Sequence, residues 1–306
     1  MFYTRKCGEI EESDFGSEQT LCGWLQDTRN LGGIAFLQLR DITGVIQLTL
    51  LKKKLGDENF KSWANINRES IILVRGIVKE NKEAPGGVEM LPDNIELMNE
   101  AETPLPLGVI DKIDSEIETR LNARYLDLRK TEIAANFQIR AAISGAVHKH
   151  LRRENFLEVQ TPKIIASATE GGTSLFEMKY FDKTAYLAQS PQLYKQMLMS
   201  GGLERVYEVG PAFRAEEHNT PRHLNEFISI DIEMSFADDD VVMGVMERLV
   251  ATAARTVSKE TKALKTLGIE PIELELPLPR ITYDEAVGMA KGKAKWGEDL
   301  SMEATR

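Results

Sequence analysis

The sequence predicts an α+β protein in which a small all-β unit comes first and an antiparallel sheet flanked by helices follows. Two observations carry this prediction. Short β-forming runs separated by glycine-containing turns fill residues 20–98, and two longer β-forming runs joined by a polar loop span residues 206–231. The chain has 306 residues, 42% of them hydrophobic, which is enough to bury the cores of about two domains.

The first predicted unit is a five-stranded β-barrel. Runs of β-forming residues predict strands at 21–26, 34–40, 45–50, 70–79 and 95–98. Gly32-Gly33 and Thr43-Gly44 mark the first two turns, and a helical pattern over 57–66 lies between the third and fourth strands. Three strands, a helix and two more strands is the order of an OB-fold, a barrel that often binds oligonucleotides.

Three segments describe the predicted domain organisation: an OB-fold domain at 1–100, a linker at 101–130 and a second domain at 131–306. The linker contains Thr103-Pro104-Leu105-Pro106-Leu107 and a polar run, so we expect a stiff connection without a core. The second domain opens with an amphipathic helix that ends before Asn155, followed by a strand that runs into Pro162. Further helices are predicted over 238–268 and 283–290.

The run from Val206 to Asp231 predicts a hairpin with an unusual concentration of charge. A strand ends in Phe213-Arg214-Ala215-Glu216, a polar loop carries Arg222 and His223, and a second strand covers 227–231. Two guanidiniums, an imidazole and several carboxylates on one rigid platform suit a polyphosphate and a zwitterion rather than an apolar ligand.

Bulk properties exclude several other classes. The net charge of −10 shows no overall basic character, which argues against non-specific DNA packaging but does not exclude a local RNA-binding surface. Cys7 and Cys22 predict neither a disulfide framework nor a zinc site. His148, His150 and His218 lack metal-ligand spacing, so we expect surface histidines and no metal site in this chain. No stretch of eighteen or more apolar residues occurs, and the N-terminus has no basic-then-apolar signal pattern; we therefore expect a cytoplasmic location.

Four sequence motifs, in order, resemble those of class II aminoacyl-tRNA synthetases, and in particular the aspartyl-tRNA synthetases of the archaeal and eukaryotic type. They are Leu126-Asp127-Leu128-Arg129, Ala168-Thr169-Glu170-Gly171-Gly172, Gln189-Ser190-Pro191-Gln192-Leu193-Tyr194-Lys195-Gln196, and the hairpin, which resembles motif 2. The helix and strand before Pro162 resemble motif 1, the dimer-interface signature. The resemblance implies an aspartate–tRNA ligase that uses ATP and Mg²⁺, acts on L-aspartate and tRNA(Asp), and forms a homodimer through the Pro162 region.

The resemblance also assigns roles to individual residues. Aspartate would be bound by Glu170, Gln192, Lys195, Arg214, Asp231 and Glu233, with Lys195 on the substrate's side-chain carboxylate. ATP would be bound by Arg214, Glu216, Arg222, His223, Leu224 and Phe227, and Arg214 would be catalytic by bridging the reacting carboxylate and the α-phosphate. Phe227 could equally be a core aromatic residue, and Asp231 and Glu233 could be structural partners of arginine or lysine.

In the OB-fold domain the resemblance places tRNA contacts at Arg29, Phe36 and Gln47, although core or surface roles remain open for each. Gln26 and Pro85 occupy positions that separate strict from relaxed enzymes in this family. Strict enzymes carry Trp and Lys there, so these residues predict an enzyme that also charges tRNA(Asn). Pro85 in a Pro-Gly-Gly turn could also reflect turn chemistry alone.

Nothing after Asp231 resembles the third motif of the family, a glycine-rich strand and helix ending in an arginine that binds ATP. We therefore expect the catalytic domain at 131–306 to contain motifs 1 and 2 only, and residues 1–306 alone to be inactive in aspartate activation. Two alternatives are kept: an asparaginyl-tRNA synthetase, which shares most of these motifs, and a non-catalytic tRNA-binding fragment. A free-standing amide-forming ligase is disfavoured by the OB-fold domain.

Overall fold

The computed structural model describes residues 2–110, 115–167, 175–216, 224–290, 294–300 and 305. The chain divides into two compact units, Met1–Asn136 and Phe137–Arg306. Residues 101–136 group with the barrel in this division, and the predicted boundaries at 100 and 130 stay a prediction.

The first unit is built on five strands that pair in a ring. They are β1 (Glu18–Asn30), β2 (Ile34–Arg40), β3 (Val45–Leu51), β4 (Ile71–Glu80) and β5 (Val88–Asn99), in the spatial order β1-β2-β3-β5-β4 with β4 returning to β1. The join between β3 and β5 is a parallel pairing of only two residue pairs, so the barrel is partly open there. This arrangement confirms the predicted OB-fold.

Period-two alternation along the strands fills the barrel. On β2, Leu37 and Leu39 are fully buried in the core, whereas Phe36 and Gln38, which alternate with them, lie on the outer face. Between β3 and β4 the chain forms α1 (Lys52–Leu55) and α2 (Asp57–Ala64), and α2 packs Phe60 into the barrel core. Because inward-facing side chains fill the core, the outer face of the strands can carry polar and aromatic side chains.

The predicted linker has a small core of its own, contrary to the expectation of a stiff connection. Two short helices, α3 (Ile117–Asn122) and α4 (Arg124–Asp127), place Ala123 and Leu126 against Leu107. Asp127 has no exposed surface and forms ion pairs with Arg120, Arg124 and Lys130. Burial by itself raises the pKa of Asp127, but the surrounding cations lower it overall. The sequence pattern missed this core because its buried aspartate stands where a helix usually carries an apolar residue.

Helix α5 (Thr131–Arg153) contains the boundary between the units, and two small sheets follow it. One has the order β11-β10-β6 and the other β7-β9-β8. The strands are β6 (Leu157–Glu158), β7 (Ile164–Ile165), β8 (Glu177–Tyr180), β9 (Lys183–Leu187), β10 (Arg205–Phe213) and β11 (Glu226–Met234). The remaining helices are α6 (Gln192–Ser200), α7 (Asp239–Val257), α8 (Thr261–Leu267) and α9 (Tyr283–Met289).

The hydrophobic core of the second unit lies on one face of the β10–β11 hairpin. Fully buried Tyr207 packs with Leu151, Phe156 and Leu249. His148 is not a surface group as predicted: its Nδ1 lies 3.0 Å from the Tyr207 hydroxyl, which donates to Glu158. His150 is also mostly buried, with Nδ1 3.1 Å from the Thr252 hydroxyl, and burial lowers its pKa. Both histidines contact neighbouring elements, and because i and i+2 lie about 200° apart on a helix, each reaches a different partner.

Within the part of the chain that the structure describes, no helix combines the length and the apolar character needed to span a bilayer.

Candidate functional site

The second face of the β10–β11 hairpin is polar. Glu208 pairs with Asp231 and Ala212 with Phe227 in the antiparallel register. Alternation therefore places Phe227, Ser229, Asp231 and Glu233 together on this face, while the isoleucines between them point to the other. The sequence Phe-Ile-Ser-Ile-Asp-Ile-Glu thus builds a polar side for a ligand and an apolar side on which Ile232 packs against the core, while Ile228 and Ile230 are 47% and 45% exposed.

Lys195 lies at the centre of this polar face. It is 3% exposed, and its Nζ lies 3.2 Å from Asp231 Oδ1, 3.4 Å from Glu233 Oε2 and 3.1 Å from the carbonyl oxygen of Ile232. Gln192, one helical turn earlier on α6, donates to the same Glu233 oxygen at 3.4 Å. The helix and the strand thus bring together four of the predicted aspartate-binding residues in one cluster.

The charges of this cluster suit a zwitterion. Two carboxylates and one ammonium leave a formal excess of one negative charge, and the side chains of Asp231 and Glu233 remain 21% and 23% exposed. A ligand ammonium could take the exposed carboxylate oxygens, and a ligand carboxylate could take the ammonium of Lys195. A buried lysine that exchanges one carboxylate partner for another keeps its charge compensated throughout.

Arg214 and Phe227 form a second part of the polar face. The guanidinium carbon of Arg214 lies 5.3 Å from the centre of the Phe227 ring, and Arg214 Nε is buried with no hydrogen-bond partner among the described residues. A buried guanidinium N–H without a partner is costly and is satisfied when an anionic oxygen binds. The backbone N–H groups of Arg214 and Glu216 are held by Asn225, which fixes the end of the hairpin. This geometry fits a phosphate or carboxylate oxygen at Arg214.

Glu208 is a buried residue of the hairpin that the sequence did not single out. It is 1% exposed, accepts hydrogen bonds from the Thr161 backbone N–H and hydroxyl, and pairs with Lys163 at 2.9 Å. These contacts fasten the segment on both sides of Pro162 to β10. Pro162 itself is exposed. The Glu-x-Gly spacing could have indicated that Glu208 is packed against residue 210. A Cβ at Gly210 would lie 3.2 Å from the Glu208 carboxylate oxygen, which is a tight contact.

Three of the predicted site residues, Glu170, Arg222 and His223, lie outside the described residues. Leu224 is described and is 57% exposed beside the hairpin. Glu216 is half-buried at the end of β10. The structure thus brings Gln192, Lys195, Asp231 and Glu233 into one cluster and places Arg214 against Phe227.

A separate pocket of about 370 Å³ lies on the outer face of the barrel. Four of the predicted tRNA-related residues line it: Arg29, Phe36, Gln47 and Pro85. The fifth, Gln26, contacts the lining residue Gln38 through a 3.2 Å hydrogen bond. Period-two alternation with Phe36 would have indicated Gln38 as a further lining residue. Sequence reasoning missed it and four others: Asp27, Thr28, Asn81 and Glu83.

Glu89 is a buried residue of the outer face, and it organises one side of this pocket next to Gln47. Its carboxylate accepts hydrogen bonds from Gln47 at 3.2 Å and from the Thr49 hydroxyl at 2.5 Å, and it pairs with Lys79 at 2.8 Å. Burial by itself raises the pKa of Glu89, but these hydrogen bonds and one from Asn81 together lower it to about 2. The carboxylate therefore stays ionised over the whole physiological pH range.

We expect Glu89→Gln to destabilise the barrel at neutral pH, and the loss to shrink in acid. A carboxylate whose pKa is lowered on folding stabilises the protein above its unfolded pKa, and this contribution is lost as the pH falls towards about 2. Because Lys79 is partly exposed and solvent screens its charge, the free energy of unfolding lost at pH 7 should be about 1–2 kcal/mol. Urea unfolding of both proteins between pH 7 and pH 3 measures it, with the exposed Glu58→Gln as control. A difference that does not change with pH would contradict this account.

Two family models match the chain. Residues 116–306 match the tRNA synthetases of class II (D, K and N), and residues 19–98 match the OB-fold nucleic acid binding domain. The second match coincides with the barrel and its pocket, and the first includes both the Lys195 cluster and Arg214.

Similar proteins are known in archaea. The chain is 53% identical over 296 residues to the aspartate–tRNA(Asp/Asn) ligase of Methanopyrus kandleri, covering 95% of this chain and 69% of that protein. It is 47% identical to the aspartate–tRNA(Asp) ligase of Thermococcus kodakarensis, covering 100% and 71%. Among solved structures, the asparaginyl-tRNA synthetase of Pyrococcus horikoshii with asparaginyl-adenylate superimposes with a TM-score of 0.89 at 32% identity, covering 100% and 71%.

Proposed function

We propose, since the chain belongs to the class II tRNA synthetases of the aspartate, lysine and asparagine group, that its activity is aspartate–tRNA ligation. The observation that supports the choice of aspartate is Lys195, a buried ammonium paired with two partly exposed carboxylates on the polar face of the hairpin. The aspartate ligases at 53% and 47% identity support the same choice over the more distant asparaginyl enzyme.

The proposed chemistry has two steps. The α-carboxylate of aspartate attacks the α-phosphorus of ATP, which releases pyrophosphate and leaves aspartyl-adenylate. The 3′-terminal ribose hydroxyl of the tRNA then attacks the activated carbonyl, which transfers the aspartyl group and releases AMP. Positioning and charge stabilisation account for most of the catalysis in such a reaction, because the protein forms no covalent intermediate.

The site residues that the structure describes have separate roles in this proposal. Lys195 pairs with the side-chain carboxylate of aspartate, and Asp231, Glu233 and Gln192 hold its ammonium group. Arg214 donates to the reacting carboxylate and the α-phosphate, where its unpartnered Nε is the group available. Phe227 stacks on the adenine, and Glu216 contacts the ATP. Mg²⁺ enters with ATP and would offset the charge of its phosphates.

Discrimination against asparagine follows from the charge at Lys195. A neutral amide in place of the substrate carboxylate would leave the buried ammonium without the ligand charge that the pocket is built to receive. Sites that hydrogen-bond a particular polar group reject analogues lacking it by large factors. An asparaginyl enzyme remains the second candidate, since a solved asparaginyl-tRNA synthetase shares the fold over the whole chain.

The barrel pocket is the proposed contact for the anticodon of the tRNA. Phe36 offers an aromatic face for a base, Gln47 a hydrogen-bonding amide and Arg29 an exposed cation. We also propose a homodimer through the exposed region at Pro162 and Leu157, which is 52% exposed on the edge strand β6.

We expect relaxed tRNA specificity, with both tRNA(Asp) and tRNA(Asn) aspartylated by the full-length gene product. Gln26 and Pro85 lie at the pocket, where strict enzymes of the family carry Trp and Lys. Charging of both transcripts with labelled aspartate tests the ligase function itself. If no aspartyl-tRNA formed, the proposed ligase function would be contradicted. If only tRNA(Asp) were charged, the prediction of relaxed specificity alone would be wrong.

A matched pair of variants sharpens this test. Gln26→Trp combined with Pro85→Lys is expected to lower tRNA(Asn) charging relative to tRNA(Asp) by about tenfold or more, because a specificity change of that size needs only about 1.4 kcal/mol. Gln19→Trp combined with Ser62→Lys introduces the same two side chains in the first unit outside the pocket lining and should leave the ratio of the two rates unchanged.

A further inference from the structure

The pocket on the barrel holds two glutamine side chains next to each other. Gln38 on β2 and Gln47 on β3 are direct partners in the antiparallel ladder, and both line the pocket with Phe36. Cross-strand partners on one face have Cβ atoms about 4.5–5.5 Å apart. Two amides at this spacing can contact the edge of a single nucleobase that stacks on Phe36.

The orientation of the Gln47 amide is determined by Glu89. A carboxylate only accepts hydrogen bonds, so the Gln47 nitrogen must point towards it, and Nε2 does donate to Glu89 Oε2 at 3.2 Å. Nε2 also lies 3.4 Å from the Thr49 hydroxyl. The Gln47 carbonyl oxygen is then the end left to accept a hydrogen bond from a ligand.

The orientation of the Gln38 amide is determined by a relay that starts at Arg40. A guanidinium only donates, and Arg40 Nη1 donates to Gln26 Oε1 at 3.3 Å. The Gln26 nitrogen must then point away from Arg40, and it donates to Gln38 Oε1 at 3.2 Å. With its oxygen engaged, Gln38 is left with the N–H groups of its amide as donors at the pocket.

The start of the relay is held rigidly inside the first unit. Arg40 is 3% exposed, and its Nη2 lies 2.8 Å from each carboxylate oxygen of Glu69. Arg129 donates to the same carboxylate at 2.8 Å and lies 5.0 Å from the centre of the Trp24 ring. Gln26 itself is the extra residue of a bulge in β1, between Leu25 and Asp27, which directs its side chain to Gln38.

We propose that Gln38 is a further base-contacting residue of the pocket, and that Arg40, acting through Gln26, is a positioning residue that fixes it as a donor. Gln38 and Gln47 then present a donor beside an acceptor to an unpaired RNA base. This inference rests on the proposed anticodon-binding role of the pocket and adds the direction of its hydrogen bonds. Glu69 and Arg129 keep the relay in place, so a residue of the predicted linker contributes to base selection.

The test uses the full chain and RNA hairpins that carry the anticodon loop, with one loop base at a time changed from uracil to guanine. Gln38→Glu replaces the donor by an acceptor, and guanine is the base whose N1–H and N2–H groups offer two adjacent donors. At the position that contacts Phe36, this variant should raise the guanine-to-uracil affinity ratio by about tenfold or more. The added negative charge weakens all hairpins alike, so it cancels in the ratio.

Variants of the relay should shift the same ratio in the same direction and by less. Gln26→Leu breaks no ion pair and frees the Gln38 amide to turn its oxygen to the base, so we expect a change of about threefold to tenfold. Arg40→Met should match it, and Arg40→Lys, which keeps a donor for Gln26, should restore part of the selectivity. Gln19→Leu, on the same strand but bonded to Ser17 and Thr4, should leave the ratio at the wild-type value.

The possible failures are distinguishable. If the wild-type chain binds none of the hairpins, the proposed role of the pocket in tRNA recognition is wrong. If it binds them but the ratio stays at the wild-type value in Gln38→Glu and Gln26→Leu, the pocket binds RNA and the relay inference is wrong. A shift in Gln38→Glu without one in Gln26→Leu or Arg40→Met overturns the positioning role of Arg40.

Discussion

Lys195→Met in the full-length protein is expected to lower kcat/KM for aspartate by about 10²-fold or more. This is the range for removing one partner of a charge pair in a partly desolvated site, because the remaining charge is left uncompensated. The substitution removes the ammonium that lies 3.2 Å from Asp231 and 3.4 Å from Glu233. Two neighbouring carboxylates then repel each other and also the side-chain carboxylate of the substrate. Aspartate-dependent ATP–pyrophosphate exchange measures the loss.

A purely structural role for Lys195 predicts a different result. The ammonium would then serve only to neutralise Asp231 and Glu233, so the melting temperature would fall while the KM for aspartate stayed the same. Lys183→Met replaces an exposed lysine of β9 and should change neither quantity. Wild-type KM for aspartate in the Lys195→Met protein would remove Lys195 from the substrate pocket.

Arg214→Lys is expected to lower the rate of adenylate formation on the order of 10²–10³-fold, as the removal of one positioned donor to a developing charge does in other enzymes. An ammonium keeps the positive charge but loses the planar set of donors that can hold a carboxylate and a phosphate at once. The effect should appear mainly in kcat, because the bridging contact strengthens in the transition state. Single-turnover measurement of aspartyl-adenylate isolates this step.

The matched control for Arg214 is Arg140→Lys, which makes the same change at an exposed position of α5. It should leave the single-turnover rate unaltered. An Arg214→Lys protein with the rate of the Arg140→Lys control would show that the buried, unpartnered Nε does not contact the reacting groups.

Much of the fold could be predicted because local pattern and tertiary environment agree. In the barrel, apolar residues alternate with polar ones along β2, and Gly32-Gly33 marks the turn before it, so its bounds match the prediction at 34–40. The hairpin was predictable for the same reason, since Ile228, Ile230 and Ile232 alternate with Ser229 and Asp231. In both cases the two faces differ in polarity, which specifies the register, although on the hairpin only Ile232 of these isoleucines packs against the core.

The errors have a common physical origin in polar residues whose partners lie on other elements. Strand β1 extends to Glu18–Asn30, beyond the predicted 21–26, because its polar ends find partners on neighbouring strands. The core of the linker is organised around the fully buried Asp127 and its cations, and His148 is held by Tyr207. A pattern of apolar residues cannot identify such positions, since what makes their burial favourable is a partner far away in the sequence.

The same reasoning explains what was missed at the sites. The motifs singled out Lys195 and Arg214, but their spacing along the chain did not indicate that Lys195 would pair with both Asp231 and Glu233. In the barrel, Gln38 and Gln47 become partners only through the β2–β3 register, and the Arg40–Glu69 pair joins positions far apart in the chain. Long-range pairing of this kind is set by tertiary structure.

The central claim is that Lys195 makes this pocket specific for a carboxylate side chain. The most direct measurement compares aspartate with asparagine as the amino acid that drives ATP–pyrophosphate exchange by the full-length protein. We predict that kcat/KM for aspartate exceeds that for asparagine on the order of 10³-fold or more. Exchange driven by asparagine as efficiently as by aspartate, or more so, would contradict the assignment and favour an asparaginyl enzyme.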